Sequence, residues 1–271
     1  MTLLVTSAVD RKLHAALAGK LMAYNSVHAE QVGFVEKPEN PNAAARLQMA
    51  GGEFCGNASL ALCAYLVWSG QVECEAQCTV PVEVSGASGI LLCDIKREGA
   101  CFLGKISMPV PRAIKTFYAE IGGLRRALPL VLMPGISHVI VDIDEMEASK
   151  EAIAQALMEN SSVFTTDTED AFGIMFYSKA ASSINKPSAR ITPFVCVKAS
   201  GTKVWERGCG SGSAALGAYL AHNSGGNVKM DIVQPGGVIM VEVCVAEGNI
   251  TGISIEGKIE IAAYGKAFAA I

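Results

Sequence analysis

The sequence predicts an α+β protein of two pseudo-symmetric halves, each a mostly antiparallel sheet wrapped around a central apolar helix. Three observations predict it. One stretch is written twice: Cys55-Gly56-Asn57-Ala58-Ser59-Leu60-Ala61-Leu62-Cys63-Ala64-Tyr65-Leu66-Val67 returns, 154 residues further on, as Cys209-Gly210-Ser211-Gly212-Ser213-Ala214-Ala215-Leu216-Gly217-Ala218-Tyr219-Leu220-Ala221, with eight of thirteen positions identical. Each copy is followed by two alternating apolar runs joined at glycines, so the repeated unit is a cysteine, a helix and a hairpin. Leu60–Val67 and Ala214–Ala221 are apolar on nearly every face, and such a helix is buried all round. A two-copy repeat of this length reads as domain duplication, because a solenoid needs several short copies.

The elements follow in order. Met1–Ser7 is an apolar run that reads as a strand. Asp10–Tyr24 has helical spacing, with Leu13, Ala16, Leu17 and Leu21 on one face. Gln31–Glu36 reads as a strand ended by the loop Lys37-Pro38-Glu39-Asn40-Pro41. Arg46–Met49 is a short strand running into Gly51-Gly52, and the first cysteine helix comes next. Val80–Ile95 alternates and turns at Gly86-Ala87-Ser88-Gly89; its counterpart, Asp231–Val243, turns at Pro235-Gly236-Gly237. Between them, Met133–Asp142 and Gly173–Tyr177 read as strands, and Glu147–Asn160 as an amphipathic helix. Lys179–Pro187 is polar and loop-like, and Thr192–Lys198 leads back to the second cysteine. Pro109-Val110-Pro111 marks a linker, giving halves 1–112 and 113–257, with about 258–271 packing back on the first half and the active site in the cleft between them.

Composition narrows the function. A chain of 271 residues that is 51% hydrophobic and 18% charged can bury a sizeable core. A net charge of -4 gives no basic footprint for nucleic acid. No run of 18 unbroken apolar residues exists to span a membrane, and no basic segment leads into an apolar run as in a secretory signal. Nine scattered cysteines, an odd number, fit free thiols in a reducing cytoplasm better than a disulfide framework.

The chemistry concentrates in the two cysteine loops. A helix start leaves N–H groups without partners and carries partial positive charge, and glycines let a ligand approach the backbone. A carboxylate fits such a place. The same field is expected to lower a cysteine's pKa there. An amino acid whose carboxylate lies between two such loops has its Cα between two sulfurs. One thiolate removes the Cα proton, and the opposite thiol returns one on the other face. The candidate catalytic residues are therefore Cys55 and Cys209, with Gly56, Asn57, Gly210 and Ser211 around the substrate. Cys63, Cys93, Cys101, Cys196 and Cys244 read as small buried hydrophobes. Cys74 and Cys78 have no second cysteine pair or histidine cluster nearby, so no metal site is expected. His138 reads as a satisfied structural histidine, and His14, His28 and His222 as ordinary helix or strand positions.

These motifs resemble those of the cofactor-independent, two-cysteine amino-acid racemases and epimerases, typified by diaminopimelate epimerase. Phe54-Cys55-Gly56-Asn57-Ala58 is similar to the first catalytic loop of that family. Glu206-Arg207-Gly208-Cys209-Gly210-Ser211-Gly212 is similar to the second, and Gln234-Pro235-Gly236-Gly237 to the hairpin that follows. Glu30-Gln31-Val32-Gly33-Phe34 and Trp205-Glu206 most resemble the branch of histidine racemases of staphylopine metallophore biosynthesis, from which the chain departs at Gly52 and at Arg207-Gly208. Members of the family begin with a further strand and a substrate-side asparagine upstream of the segment that opens this chain.

The resemblance implies a racemase acting on an amino acid, histidine first, without pyridoxal phosphate or any other cofactor. It implies Glu206 as holder of the substrate ammonium and Gln31 as a substrate hydrogen-bond partner. Where diaminopimelate epimerases carry distal-binding asparagines, this chain has Ile136 and Gly173, which argues against a second zwitterionic head. Diaminopimelate epimerase or another amino-acid racemase is the alternative within the class. An isomerase of the same fold, such as the phenazine-pathway type, which lacks the paired cysteines and against which Cys55 with Cys209 counts, and a non-catalytic amino-acid-binding protein are the alternatives outside it. The expected partner is a small amino acid, with homodimerisation open.

Overall fold

The computed structural model describes residues 1–159, 171–179, 187–197 and 201–269. It is an α+β protein with mixed sheets and four α-helices among the described residues. The chain forms two compact units: Met1–Ser107 with the segment from Ser254 onward, and Met108–Ile253.

The first unit contains β1 (Thr2–Val5), α1 (Arg11–Met22), β2 (Gln31–Glu36), β3 (Ala45–Met49), α2 (Gly56–Trp68), β4 (Gln77–Val84), β5 (Ile90–Glu98) and β6 (Cys101–Met108). β1 and β2 pair parallel, β2 and β3 antiparallel, β3 and β4 parallel, and β4 with β5 antiparallel. The parallel pairs fall where a helix crosses over, at α1 and at α2, as parallel strands require a long connection. Asp10 caps α1 by accepting from the Lys12 N–H. The buried face of α1 is His14, Leu17, Ala18 and Leu21, while Leu13 is 40% exposed. This corrects the expected face. The His14 ring stacks on Phe34 at 3.6 Å, and its Nε2 lies 3.2 Å from the Val9 carbonyl, which turns the helix toward the histidine.

Val32 and Phe34 of β2 pack on α1, so strand alternation sends Gly33 to the opposite face, the one that takes α2. As its sequence dictates, α2 is buried from Leu60 through Val67 apart from partial exposure at Ala61 and Tyr65. Leu62 has no exposed surface. Leu62→Ala is expected to cost about 2–5 kcal/mol in a denaturant titration, from lost transfer energy plus a cavity; an unchanged midpoint would mean that α2 is not a core helix.

The second unit contains β7 (Ala113–Ile121), β8 (Leu124–Met133), β9 (Ile136–Asp142), α3 (Lys150–Glu159), β10 (Ala171–Lys179), β11 (Ser188–Val197), β12 (Thr202–Trp205), α4 (Gly210–Ser224), β13 (Val228–Gln234) and β14 (Gly237–Ala246); β15 (Asn249–Ile259) carries the chain back into the first unit. The pairings are β9 with β10 parallel, β10 with β11 antiparallel, β11 with β13 parallel and β13 with β14 antiparallel. Val139, Val141, Phe172, Ile174 and Phe176 form one face of this sheet with Ile153, Ala154 and Leu157 of α3. Alternation leaves His138, Gly173 and Met175 on the other face, against α4.

Several expectations are corrected. Among the described residues, the parallel pairs β1–β2, β3–β4, β9–β10 and β11–β13 join the expected antiparallel majority, so the sheets are mixed. Met133–Asp142 is two strands, with a turn at Pro134-Gly135. β6, β7, β12, β15 and most of β8 carried no clear sequence signal. The expected loop Lys179–Pro187 lies outside the described residues for 180–186, as do Asn160 and Lys198. Cys74 and Cys78 are joined as a disulfide, so the cysteines are not all free thiols. Cys244 is exposed and Cys101 half-buried, its sulfur 3.3 Å from Glu260 Oε1, so neither is a buried hydrophobe. No helix among the described residues is long and apolar enough to cross a membrane.

Candidate active site

Both repeated cysteines are helix N-caps, and their local geometries match. Cys55 has φ -133°, ψ 106°, and its sulfur accepts from the Ala58 N–H at 3.5 Å. Cys209 has φ -125°, ψ 109°, and its sulfur accepts from the Gly212 N–H at 3.4 Å. The serine four residues on then donates to the cysteine carbonyl in each case, Ser59 Oγ at 2.8 Å and Ser213 Oγ at 2.7 Å. The sulfur thus takes one of the N–H groups that every helix start leaves over. Gly56 and Asn57, and Gly210 and Ser211, form the remaining first turns, where an anion meets N–H groups and the positive end of the helix dipole.

A hairpin braces each loop. In the first unit, Ser85 Oγ donates to the Glu53 carbonyl at 2.9 Å. Gly86, at φ +73°, presses on the Phe54 backbone so closely that a Cβ would overlap its nitrogen. In the second, Gln234 Oε1 accepts the Cys209 N–H at 2.7 Å and its Nε2 donates to Ser213 Oγ at 2.9 Å. The Gly236 N–H donates to the Arg207 carbonyl at 2.6 Å. Gln234 is a positioning residue for which the sequence offered no role, although it opens the motif Gln234-Pro235-Gly236-Gly237; its sign was a polar residue at a strand end, buried to 5% exposure.

In the first unit, Gln31, Cys55, Gly56 and Asn57 come together. The Cys55 thiol donates to Gln31 Oε1 at 3.0 Å, and Thr2 Oγ1 donates to the same oxygen at 3.2 Å. Gln31 therefore sits on the sulfur as well as at the place expected to meet substrate. A half-turn of the amide would present an N–H to a thiolate at the same distance, so Gln31 can partner either protonation state.

In the second unit, Glu206, Cys209, Gly210 and Ser211 come together. Glu206 is buried, its N–H donating to the Pro193 carbonyl at 3.0 Å. Trp205 before it packs on Phe194 and Phe176, with ring centroids 4.8 and 5.6 Å apart. Ser211 Oγ lies 3.5 Å from Cys209 Sγ. Burial, followed by the charge of Glu206, pushes the Cys209 thiol well above its ordinary value, although Ser211 and the Gly212 N–H pull it down. This corrects the expected lowering. A helix end contributes roughly 0.3–1 kcal/mol, up to about 2, which full burial of a thiolate exceeds. Cys209 rests as the thiol.

His138 is wholly buried, and its Nε2 lies 3.0 Å from Ser211 Oγ. It is not the satisfied histidine expected, because Nδ1 has no hydrogen-bond partner among the described residues. Burial lowers its pKa to about 3, so the ring is neutral at physiological pH. A cavity of about 600 Å³ lies at the far, C-terminal end of α4, lined among others by Arg126, Asp142, Tyr177 and Tyr219. Its lining includes neither Cys209 nor Ser211, and the chemistry points to the cysteine loops rather than to this hollow.

Residues 1–268 match the family model described as the histidine racemase CntK N-terminal domain. A histidine racemase of Fusobacterium nucleatum subsp. nucleatum is 33% identical over 255 residues, covering 93% of this chain and 86% of that protein. A histidine racemase of Staphylococcus aureus is 26% identical, covering 99% of this chain and 93% of that protein. Among solved structures, a probable proline racemase from Agrobacterium radiobacter superposes with a TM-score of 0.64 at 17% identity, over 93% of this chain and 79% of the other. A methylitaconate-delta-isomerase gives 0.57 at 12% identity, over 99% and 95%. At those identities the likeness is one of fold.

Proposed function

Because the chain belongs to the histidine racemase family, and is thus an isomerase, we propose that it interconverts L- and D-histidine without a cofactor, using Cys55 and Cys209 as the two acid–base groups at Cα. The observation that carries this reading is the matched pair of cysteine N-caps.

The mechanism requires the two sulfurs to reach opposite faces of one Cα. Cys209 rests as the thiol, so in one direction it is the acid and Cys55, as thiolate, is the base. Cys55 takes the Cα proton, and the electron pair delocalises into the carboxylate. Cys209 then delivers its proton to the opposite face, leaving Cys55 as thiol and Cys209 as thiolate. The reverse direction exchanges the roles. Charge growing on the carboxylate is met by the first turns of α2 and α4, at Gly56, Asn57, Gly210 and Ser211, a contribution worth several kcal/mol in related settings. Glu206 holds the substrate ammonium, and Gln31 follows the Cys55 proton.

Ile136 and Gly173 support histidine over diaminopimelate, because neither offers an amide to a distal ammonium or carboxylate. The succession of parallel, antiparallel, parallel and antiparallel pairings occurs in β1–β5 and again in β9–β11 and β13–β14, which supports the pseudo-symmetric duplication of one sheet-and-helix unit. The seven free cysteines support a reducing cytoplasmic setting.

Incubation of each amino acid in deuterium oxide, followed by NMR of the Cα proton and by chiral analysis, tests the reading. Histidine should exchange and racemise with kcat/KM about 100-fold above meso-diaminopimelate, glutamate or proline, the scale of an unpaired buried polar group. Higher kcat/KM for diaminopimelate would overturn the substrate. Histidine binding without Cα exchange would leave a binding protein instead.

A further inference from the structure

We propose that His138 is a positioning residue for Cys209: it holds the Ser211 hydroxyl so that its proton points at the Cys209 sulfur. The proposal rests on the two-cysteine reading above, and deepens it at one of the two thiols.

The geometry is a chain of three groups in one unit. His138 Nε2 lies 3.0 Å from Ser211 Oγ, and Ser211 Oγ lies 3.5 Å from Cys209 Sγ. The direction of the protons follows from the other ring nitrogen. Nδ1 is buried without a partner among the described residues. It faces Gly173, directly across from His138 on the parallel strand β10, where even a Cβ would collide with it. A buried N–H without an acceptor is rarer than an under-used acceptor. The proton of the neutral ring therefore sits on Nε2 and is donated to Ser211 Oγ. With that lone pair engaged, the hydroxyl turns its own hydrogen toward the sulfur.

The consequence is specific to the thiolate. When Cys209 loses its proton, it finds two donors in place, the Ser211 O–H and the Gly212 N–H at 3.4 Å. Burial and the neighbouring Glu206 oppose that state. A hydrogen bond to a charged group offsets part of this cost, and a pre-oriented one needs no rearrangement during turnover. The imidazole stays neutral and never exchanges a proton with substrate.

The test compares His138→Asn with His138→Gln. A glutamine amide reaches the place of Nε2 and keeps a donor there; asparagine reaches only the place of Nδ1. The readout is alkylation of Cys209 by iodoacetamide across pH, followed on the Cys209 peptide by mass spectrometry, in the full-length protein without substrate. His138→Asn should slow alkylation about tenfold near neutral pH, where thiolate is the minor form, and move the profile to higher pH. His138→Gln should restore it. On a Ser211→Ala background, His138→Asn should add nothing, since the two act in series. A profile unmoved by His138→Asn, or a full additional shift on Ser211→Ala, overturns the relay. Because this readout needs no turnover, a wild-type protein that alkylates as expected but does not racemise histidine sinks the functional reading alone.

Discussion

Cys55→Ser and Cys209→Ser should each lower the rate of histidine racemisation by at least about 10³-fold and leave the fold intact. Serine is close to isosteric and is itself a good N-cap, so α2 and α4 keep their first turns. What is lost is a group able to exchange a proton near neutral pH, because a hydroxyl is a far weaker acid. The two mutants should not behave alike. In Cys209→Ser, Cys55 can still remove the Cα proton of one enantiomer and return a deuteron to the same face. That enantiomer alone then exchanges in deuterium oxide without inverting. Cys55→Ser should show the complementary preference. Chiral chromatography measures inversion, and NMR measures exchange. Racemisation at the wild-type rate by both mutants removes the cysteines from the mechanism, whatever the family resemblance.

The features legible in the sequence were those written locally. The doubled Cys-Gly stretch placed two N-caps and two buried helices, since a helix as apolar as Leu60–Val67 has one physical solution. The hairpins around Gly86 and Gly236 followed from turn chemistry. The long-range partners stayed hidden. His138 meets Ser211 from 73 residues away, and Gln234 meets the Cys209 N–H from 25 away. Gln234 opens a recognisable motif, but nothing local to either residue names the partner it meets. β7 and β8 were obscured by Lys115 and Arg126, which stand at core-facing positions of the alternation and interrupt it. The Cys209 thiol was misjudged because the sequence displays the helix start that favours thiolate but not the burial that opposes it. His14 turned α1 because an imidazole stacked on Phe34 behaves as core, which a hydrophobicity pattern does not reveal.

Gly86→Ala should damage both stability and activity from a position 31 residues beyond Cys55, while Gly89→Ala in the same turn should be mild. Both glycines have positive φ, +73° and +75°, so an alanine at either incurs the left-handed strain of about 1–2 kcal/mol. The difference lies in what surrounds them. A Cβ on Gly89 meets nothing within 4 Å, whereas one on Gly86 overlaps the Phe54 nitrogen and approaches the Glu53 carbonyl carbon to 2.7 Å. Those are backbone atoms, so relief requires moving the chain rather than rotating a side chain. The segment that moves is the one leading into Cys55, which is also tied by Ser85 to the Glu53 carbonyl. Gly86→Ala should therefore lose roughly 3 kcal/mol or more of stability. It should also lose on the order of 100-fold in kcat, the typical effect of an ångström-scale misplacement of a catalytic group. Gly89→Ala should lose only the strain and keep its activity. Urea titration and racemisation kinetics on the two variants separate the contributions. Equal losses in both would mean that the turn matters only through its backbone angles, and that the hairpin does not hold the first cysteine in place.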